Sequence, residues 1–128
     1  MAFSTQSVLI VDDDPEHLKI YGWLVQRAGF APVTCLVRPA GPEFDPKIGV
    51  DLVLLDYVLH CDTPAAEIAR TVCATWPGVP LVLLSDIHGL PTEMAPLVRC
   101  FVRKGEPEKL IQILNDLLRK PDVQPSAG

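Results

Sequence analysis

The sequence predicts an α/β domain, in which a five-stranded parallel sheet lies between two layers of helices. Two observations carry this prediction. Short aliphatic runs, such as residues 8–11 and 52–55, have no polar side chain on either face, as expected for strands that are covered on both sides. Segments with apolar residues at helical spacing alternate with these runs. Alternating strands and helices favour right-handed crossovers and hence three layers.

The overall composition limits the function classes. The 128 residues suit one domain. The net charge of −5 disfavours binding to nucleic acid or to anionic lipid, which both carry negative charge. No apolar run approaches the roughly 20 residues of a membrane span, so we expect a cytoplasmic protein. The four cysteines form no CxxC pair, which favours buried, reduced thiols over disulfides or a zinc site.

The first half of the chain contains three predicted strands. The run at 8–11 leads into three aspartates, of which Asp14 is suited to cap a helix that begins at Pro15 and is stopped by Gly29. Residues 33–37 are rich in β-branched side chains and predict the second strand. Three prolines between residues 39 and 49 exclude a regular helix before the central strand, which ends at Asp56.

The second half predicts two more strands. Thr63 and Pro64 mark the start of a helix that the Pro-Gly pair at 77–78 stops, and residues 81–84 form the fourth strand. Because Pro96 would fall inside the next helix, we expect that helix to be short or kinked. A brief strand at 100–102 precedes a last helix that opens at Pro107. We assign residues 1–120 to the domain and 121–128 to a flexible tail.

Polar residues follow four of the predicted strands at the same edge of the sheet. They are Asp12 and Asp13, Asp56, Ser85 and Lys104. Two like charges about 5 Å apart repel by roughly 3 kcal/mol at an effective dielectric constant near 20, so clustered carboxylates need a positive partner. Mg²⁺ prefers such oxygen ligands, and an aspartate can act as a phosphoryl acceptor. The three histidines, His17, His60 and His88, show no spacing of a ligand set, and we expect them at surface or loop positions.

The order of these motifs resembles a known family. VDDDP, DLVLLD, a hydroxyl residue after the fourth strand and a lysine after the fifth are similar to the receiver domain of bacterial two-component response regulators. The resemblance covers residues 8–118 and implies a flavodoxin-like, doubly wound sheet with strand order 2-1-3-4-5. It also implies a cytoplasmic protein that undergoes phosphorylation and dephosphorylation but has no conventional enzyme activity.

The resemblance assigns a role to each matching residue. Asp56 is the implied phosphoacceptor, which receives its phosphoryl group from a phosphohistidine of a sensor histidine kinase or phosphotransfer protein. Mg²⁺ is implied as the cofactor, and its implied ligands are Asp12, Asp13, Asp56 and the backbone carbonyl of Val58. Ser85 and Lys104 are the implied partners of the phosphoryl oxygens, and Ser85 and Phe101 are the implied switch residues. The implied output surface, which could also form a homodimer, comprises the fourth helix, fifth strand and fifth helix.

Departures from the family pattern leave a second function open. Gly105 stands where the family has a proline, and Asp86 replaces a small residue next to Ser85. These changes favour a receiver-fold interaction module that no longer cycles phosphate. A phosphatase with an aspartate nucleophile is disfavoured because Val58 occupies the place of its second acid. The cognate kinase and the output are not encoded in recognisable motifs.

Overall fold

The sheet has the predicted architecture. The structure is a computed structural model, and it describes residues 5–59, 61–86 and 91–118. Neighbouring strands are all parallel, in the order β2-β1-β3-β4-β5. This confirms the flavodoxin-like topology. The five strands are β1 (Ser7–Asp12), β2 (Ala31–Leu36), β3 (Leu52–Asp56), β4 (Leu81–Ser85) and β5 (Cys100–Arg103).

Three helices cover the sheet within the described residues: α1 (Pro15–Arg27), α2 (Ala65–Thr75) and α3 (Pro107–Leu118). The Asp14 side chain accepts a hydrogen bond from the Glu16 backbone N–H at 2.9 Å, which confirms it as the cap of α1. Gly29 follows that helix with a φ of 98°, a conformation that glycine adopts without the clash of a Cβ atom.

The start of α2 differs from the prediction. Thr63 was expected to cap this helix with Pro64 in its first turn, but Pro64 itself is the capping residue and no side chain caps the helix. Its extended conformation, with ψ near 150°, keeps proline outside the helical turn. The carbonyl of Pro64 still accepts the first hydrogen bonds, from the backbone N–H groups of Glu67 and Ile68. The helix therefore begins one residue later, without a side-chain acceptor.

The crossover between β2 and β3 contains no regular helix, as predicted, whereas the described part of the crossover between β4 and β5 forms turns where a short or kinked helix was expected. Between β2 and β3 the chain makes turns. A residue at the end of α2 holds this segment in place, because the Trp76 indole N–H donates to the Ile48 carbonyl at 2.9 Å. In the same segment a Cβ atom on Gly41, whose φ is 111°, would lie 2.9 Å from the Thr63 hydroxyl oxygen. After β4, residues 92–97 form successive turns; residues 87–90 of that crossover lie outside the described part of the chain.

Two apolar clusters fill the space on either side of the sheet. Alternate strand residues such as Ile10 and Leu54 pack with α1 and α3 on one side. Leu55 and Leu83 pack with α2 and Trp76 on the other. The four cysteines are free, as expected. They are half-buried, however, whereas fully buried side chains were expected. In the described ranges we find no helix of the length and apolarity that crossing a bilayer requires.

Candidate functional site at the carboxyl edge of the sheet

The predicted site residues lie at the carboxyl ends of adjacent strands. Asp12, Asp56 and Ser85 are the last residues of β1, β3 and β4, and each is at most 1% exposed. Val11 pairs with Leu55, so the next residues, Asp12 and Asp56, lie side by side. Asp56 pairs with Leu84, so Ser85 lies one residue further along β4. Buried polar groups at this edge are costly unless they find partners, so their arrangement carries functional information.

Lys104 provides the positive partner of Asp56. Its Nζ lies 2.9 Å from Asp56 Oδ1, and the two side chains are only 14% and 2% exposed. The Lys104 backbone N–H donates to the Ser85 carbonyl at 3.0 Å, which extends the β4–β5 pairing as far as Lys104, just before Gly105. Burial lowers the pKa of Lys104, but the hydrogen bond and charge of Asp56 outweigh it and raise the pKa overall. The ammonium group therefore stays charged beside the acceptor carboxylate.

Asp12 is an acid under electrostatic strain. Burial and then the neighbouring charge of Asp56 raise the pKa of Asp12 from 3.8 to about 7, although a hydrogen bond from the Asp14 backbone N–H opposes this. That bond is accepted by Oδ1 at 3.0 Å. The other oxygen, Oδ2, is buried and makes no hydrogen bond to any described residue. An ionised Asp12 thus has one oxygen available for a cation.

His17 keeps a side chain that is 38% exposed, as expected of a surface residue, but it joins this cluster, although no ligand set was expected among the histidines. Ligand atoms of Asp12, His17 and Asp56 all lie within 4.8 Å of one another, a group that could hold a metal ion. The spacing between the histidines in the sequence could not predict that His17 lies near the two aspartates. The position of His17 could have predicted it, because His17 lies in the first turn of a helix that starts at the carboxyl edge of the sheet. His60 and His88 lie outside the described residues.

The other predicted residues surround this centre. Asp13 is half-buried directly after β1 and engages in interactions of its own, but it is not a member of the three-residue group. The Val58 backbone N–H donates to Asp56 Oδ1 at 3.1 Å, so the turn after β3 folds back onto the acceptor. Phe101, in β5, is half-buried against the apolar cluster on the α2 side. The metal-ligand and switch roles of these residues remain predictions.

A cavity of about 360 Å³ lies beside the cluster, between α1, the β5–α3 loop and the end of β4. Its lining includes His17, Tyr21, Lys104 and Asp86. Asp86 is exposed, and its charge contributes to the raised pKa of Lys104, so it adds a negative charge close to the site. The cavity thus borders the site at His17 and Lys104.

Known proteins resemble this chain in structure, whereas the sequence comparisons give no match. Comparison with protein-family models gives no match. Comparison with curated protein sequences gives none either. The chemotaxis response regulator CheY4 of Vibrio cholerae is similar in structure, with a TM-score of 0.73 and 19% identity over 90% of this chain and 100% of that one. A CheY-like response regulator receiver domain from Methylobacillus flagellatus gives 0.72 and 21% over 89% and 99%.

This chain has the receiver-domain fold. A third similar structure is the receiver domain of the sensor histidine kinase PA1611 from Pseudomonas aeruginosa PAO1, which contains a magnesium ion in its active-site cleft. Its TM-score is 0.71, with 18% identity over 91% of this chain and 100% of that domain. At such identities the shared property is the fold, so the chemistry of this receiver-fold chain has to be argued from its own residues.

Proposed function

We propose that this chain is a receiver domain of a two-component response regulator that accepts a phosphoryl group on Asp56. The observation that carries the proposal is the buried contact of 2.9 Å between Lys104 Nζ and Asp56 Oδ1, at the edge where Asp12 and Ser85 also end their strands. The donor would be a phosphohistidine of a sensor histidine kinase or phosphotransfer protein in the cytoplasm of a bacterium.

The chain's own groups suit this transfer. An oxygen of Asp56 forms a bond to phosphorus while the phosphorus–nitrogen bond of the phosphohistidine breaks, and the imidazole nitrogen keeps the electron pair. Positive charge and hydrogen-bond donors are needed where negative charge spreads over the phosphoryl oxygens. Lys104 would supply the charge, and the hydroxyl of Ser85, at the end of β4, would supply a donor. Beyond this transfer and the later hydrolysis of the aspartyl phosphate, we propose no conventional enzyme activity.

Mg²⁺ fits the residues present. The buried Oδ2 of Asp12, which has no hydrogen-bond partner among the described residues, is the kind of oxygen that a hard cation binds. We propose that Asp12, Asp13, Asp56 and the carbonyl of Val58 hold the ion. When bound, Mg²⁺ supplies positive charge for the oxygens of the phosphoryl group.

Phosphorylation would act on the protein as a shift between two populated states. The new phosphoryl oxygens favour the state in which Ser85 and Lys104 reach them, and Phe101 turns inward in that state. The surface formed by β5, α3 and the crossover before β5 would then change its affinity for an output protein or for a second copy of the chain. This proposal includes no direct contact with nucleic acid or membrane.

Labelling with acetyl phosphate tests the acceptor. With Mg²⁺ present, the intact mass of the wild type should increase by one phosphoryl group, and Asp56→Asn should abolish the increase. Asp51→Asn is the matched control, because Asp51 begins the same DLVLLD segment but is exposed and binds the Ser7 backbone N–H. Unchanged labelling of Asp56→Asn would show that another residue accepts the phosphoryl group.

A receiver-fold interaction module that does not cycle phosphate is the second candidate. Asp86 favours it, since its negative charge stands close to Lys104, where a phosphoryl group must enter. Gly105 also replaces the proline of the family. If amide NMR spectra are unchanged by beryllofluoride with Mg²⁺, the interaction module is the better description. Shifts at Ser85 and Lys104 would exclude it.

A further inference from the structure

The imidazole of His17 provides a nitrogen ligand within the acidic cluster. Its Nδ1 lies 3.3 Å from Asp12 Oδ2. Two ligand atoms that each lie about 2.1 Å from one cation are separated by about 3.0 Å at a right angle and about 3.4 Å at a tetrahedral angle. The observed separation therefore suits neighbouring positions around a single ion. Asp56 brings the third ligand atom, within 4.8 Å of the other two.

The two atoms of this close pair lie within ion-pairing distance of each other, but neither makes a hydrogen bond within the described part of the chain. Asp12 Oδ2 and His17 Nδ1 are both buried. The Asp12 side chain is only 1% exposed, so water does not satisfy it from the bulk. Buried polar atoms without hydrogen bonds are rare, and they commonly mark a strained or catalytic group or a position where an ion or a water molecule binds. The ring of His17 is 38% exposed, which leaves a route for an ion from solvent.

The surroundings of His17 orient its ring for this role. Nε2 lies 3.5 Å from Asp14 Oδ2, while the other oxygen of Asp14 accepts from the Glu16 backbone N–H. In the tautomer with its proton on Nε2, that N–H points to Asp14 and the lone pair of Nδ1 points into the cluster. In metal-binding histidines, the ring nitrogen that does not face the metal commonly donates its N–H to a carboxylate. The Tyr21 ring packs edge-on against the imidazole at 6.3 Å.

We propose that His17 is a metal ligand that shifts the selectivity of this site from Mg²⁺ towards the later first-row transition cations such as Co²⁺ and Ni²⁺. Mg²⁺ takes oxygen ligands almost exclusively, whereas imidazole nitrogen favours the later transition metals. The inference rests on the site of the proposed function and names the class of cation it selects. His17 thus acts on cation choice, and the acceptor chemistry stays with Asp56.

Titration with Co²⁺ and with Mg²⁺ tests this role. His17→Gln should lower the affinity for Co²⁺ at least about ten-fold and change the affinity for Mg²⁺ less than about three-fold. Glu16→Gln is the matched control, because it alters charge in the same helical turn outside the metal group, and it should change neither. The visible spectrum of bound Co²⁺ should lose its nitrogen-ligand signature in His17→Gln. Strong near-ultraviolet absorption, which is the signature of a cysteine thiolate ligand, would overturn the assignment of His17.

The deciding quantity is the ratio of the two affinities in the variant. Co²⁺ binds most sites more tightly than Mg²⁺, so the preference of the wild type alone decides nothing. If His17→Gln leaves the Co²⁺ affinity unchanged, or lowers both affinities by the same factor, His17 is not a selective ligand. Thermal unfolding without metal checks that the variant is folded. If acetyl phosphate does not label Asp56 in the presence of any cation, the proposed function is wrong. The titration would still decide whether His17 is a selective metal ligand.

Discussion

Replacing Asp12 by Asn should stabilise the metal-free protein, and the gain should depend on pH. Asn keeps an oxygen that can accept from the Asp14 backbone N–H but removes the charge that faces Asp56. Such a gain is expected where the ionised acid is unfavourable in the folded protein. The raised pKa of Asp12 indicates that it is.

The magnitude follows from the pKa of Asp12, which rises from 3.8 in the unfolded chain to about 7 in the folded protein. Below both values Asp12 is protonated in both states and costs nothing. Between them the unfolded chain releases its proton and the folded protein does not, so stability falls by about 1.4 kcal/mol per pH unit. Above pH 7 the loss saturates at about 4 kcal/mol, which is an upper bound.

Urea unfolding in a metal chelator at pH 5 and pH 8 measures this effect. We expect Asp12→Asn to gain about 2 to 3 kcal/mol more over the wild type at pH 8 than at pH 5. Asp62→Asn removes the same charge from an exposed position and serves as the control. Equal effects of Asp12→Asn at the two pH values would refute the assignment of Asp12 as a strained acid. Mg²⁺ should reduce the advantage of Asp12→Asn, because it should bind and stabilise the wild type more than the variant.

Three further predictions concern the surroundings of the site. Lys104→Met should destabilise the chelator-treated protein by about 3 kcal/mol in urea unfolding, since it leaves a buried carboxylate unpaired, whereas the exposed Lys109→Met should have little effect. Gly41→Ala should cost about 1 to 2 kcal/mol by the same measurement and more than Gly78→Ala, whose added Cβ meets nothing within 4 Å. Trp76→Phe should cost about 1 to 2 kcal/mol and lower the thermal midpoint, because it removes the indole donor that anchors the β2–β3 crossover.

The strands were predictable because their sequence signals are local and strong, whereas their order in the sheet was predicted only from the resemblance to the receiver family. Runs such as residues 52–55 are apolar on both faces, and only the interior of a covered parallel sheet suits them. Cap and stop signals at Asp14 and Gly29 likewise act within one turn, and the structure confirms both. The start of α2 was wrong by one residue, because Pro64 can act either as a first-turn residue or as an extended residue before the helix.

The site was only partly predictable because its contacts join distant parts of the chain. Alignment of strand ends was enough to bring Lys104 to Asp56. The position of His17 depends on the rotation of α1 over the sheet edge, which a count of histidine spacings does not contain. The raised pKa of Asp12 depends on its depth and on its distance from Asp56, and both are properties of the folded chain.

The most direct test of the account is to identify the residue that carries the phosphoryl group. Borohydride reduction of the acetyl phosphate-treated protein converts an aspartyl phosphate to homoserine, which peptide mass analysis locates in the chain. We expect homoserine at position 56 in the presence of Mg²⁺ and none after a chelator is added. Homoserine at another aspartate, or none anywhere in protein shown to bind Mg²⁺, would contradict the claim that this strand edge is a phosphoacceptor site.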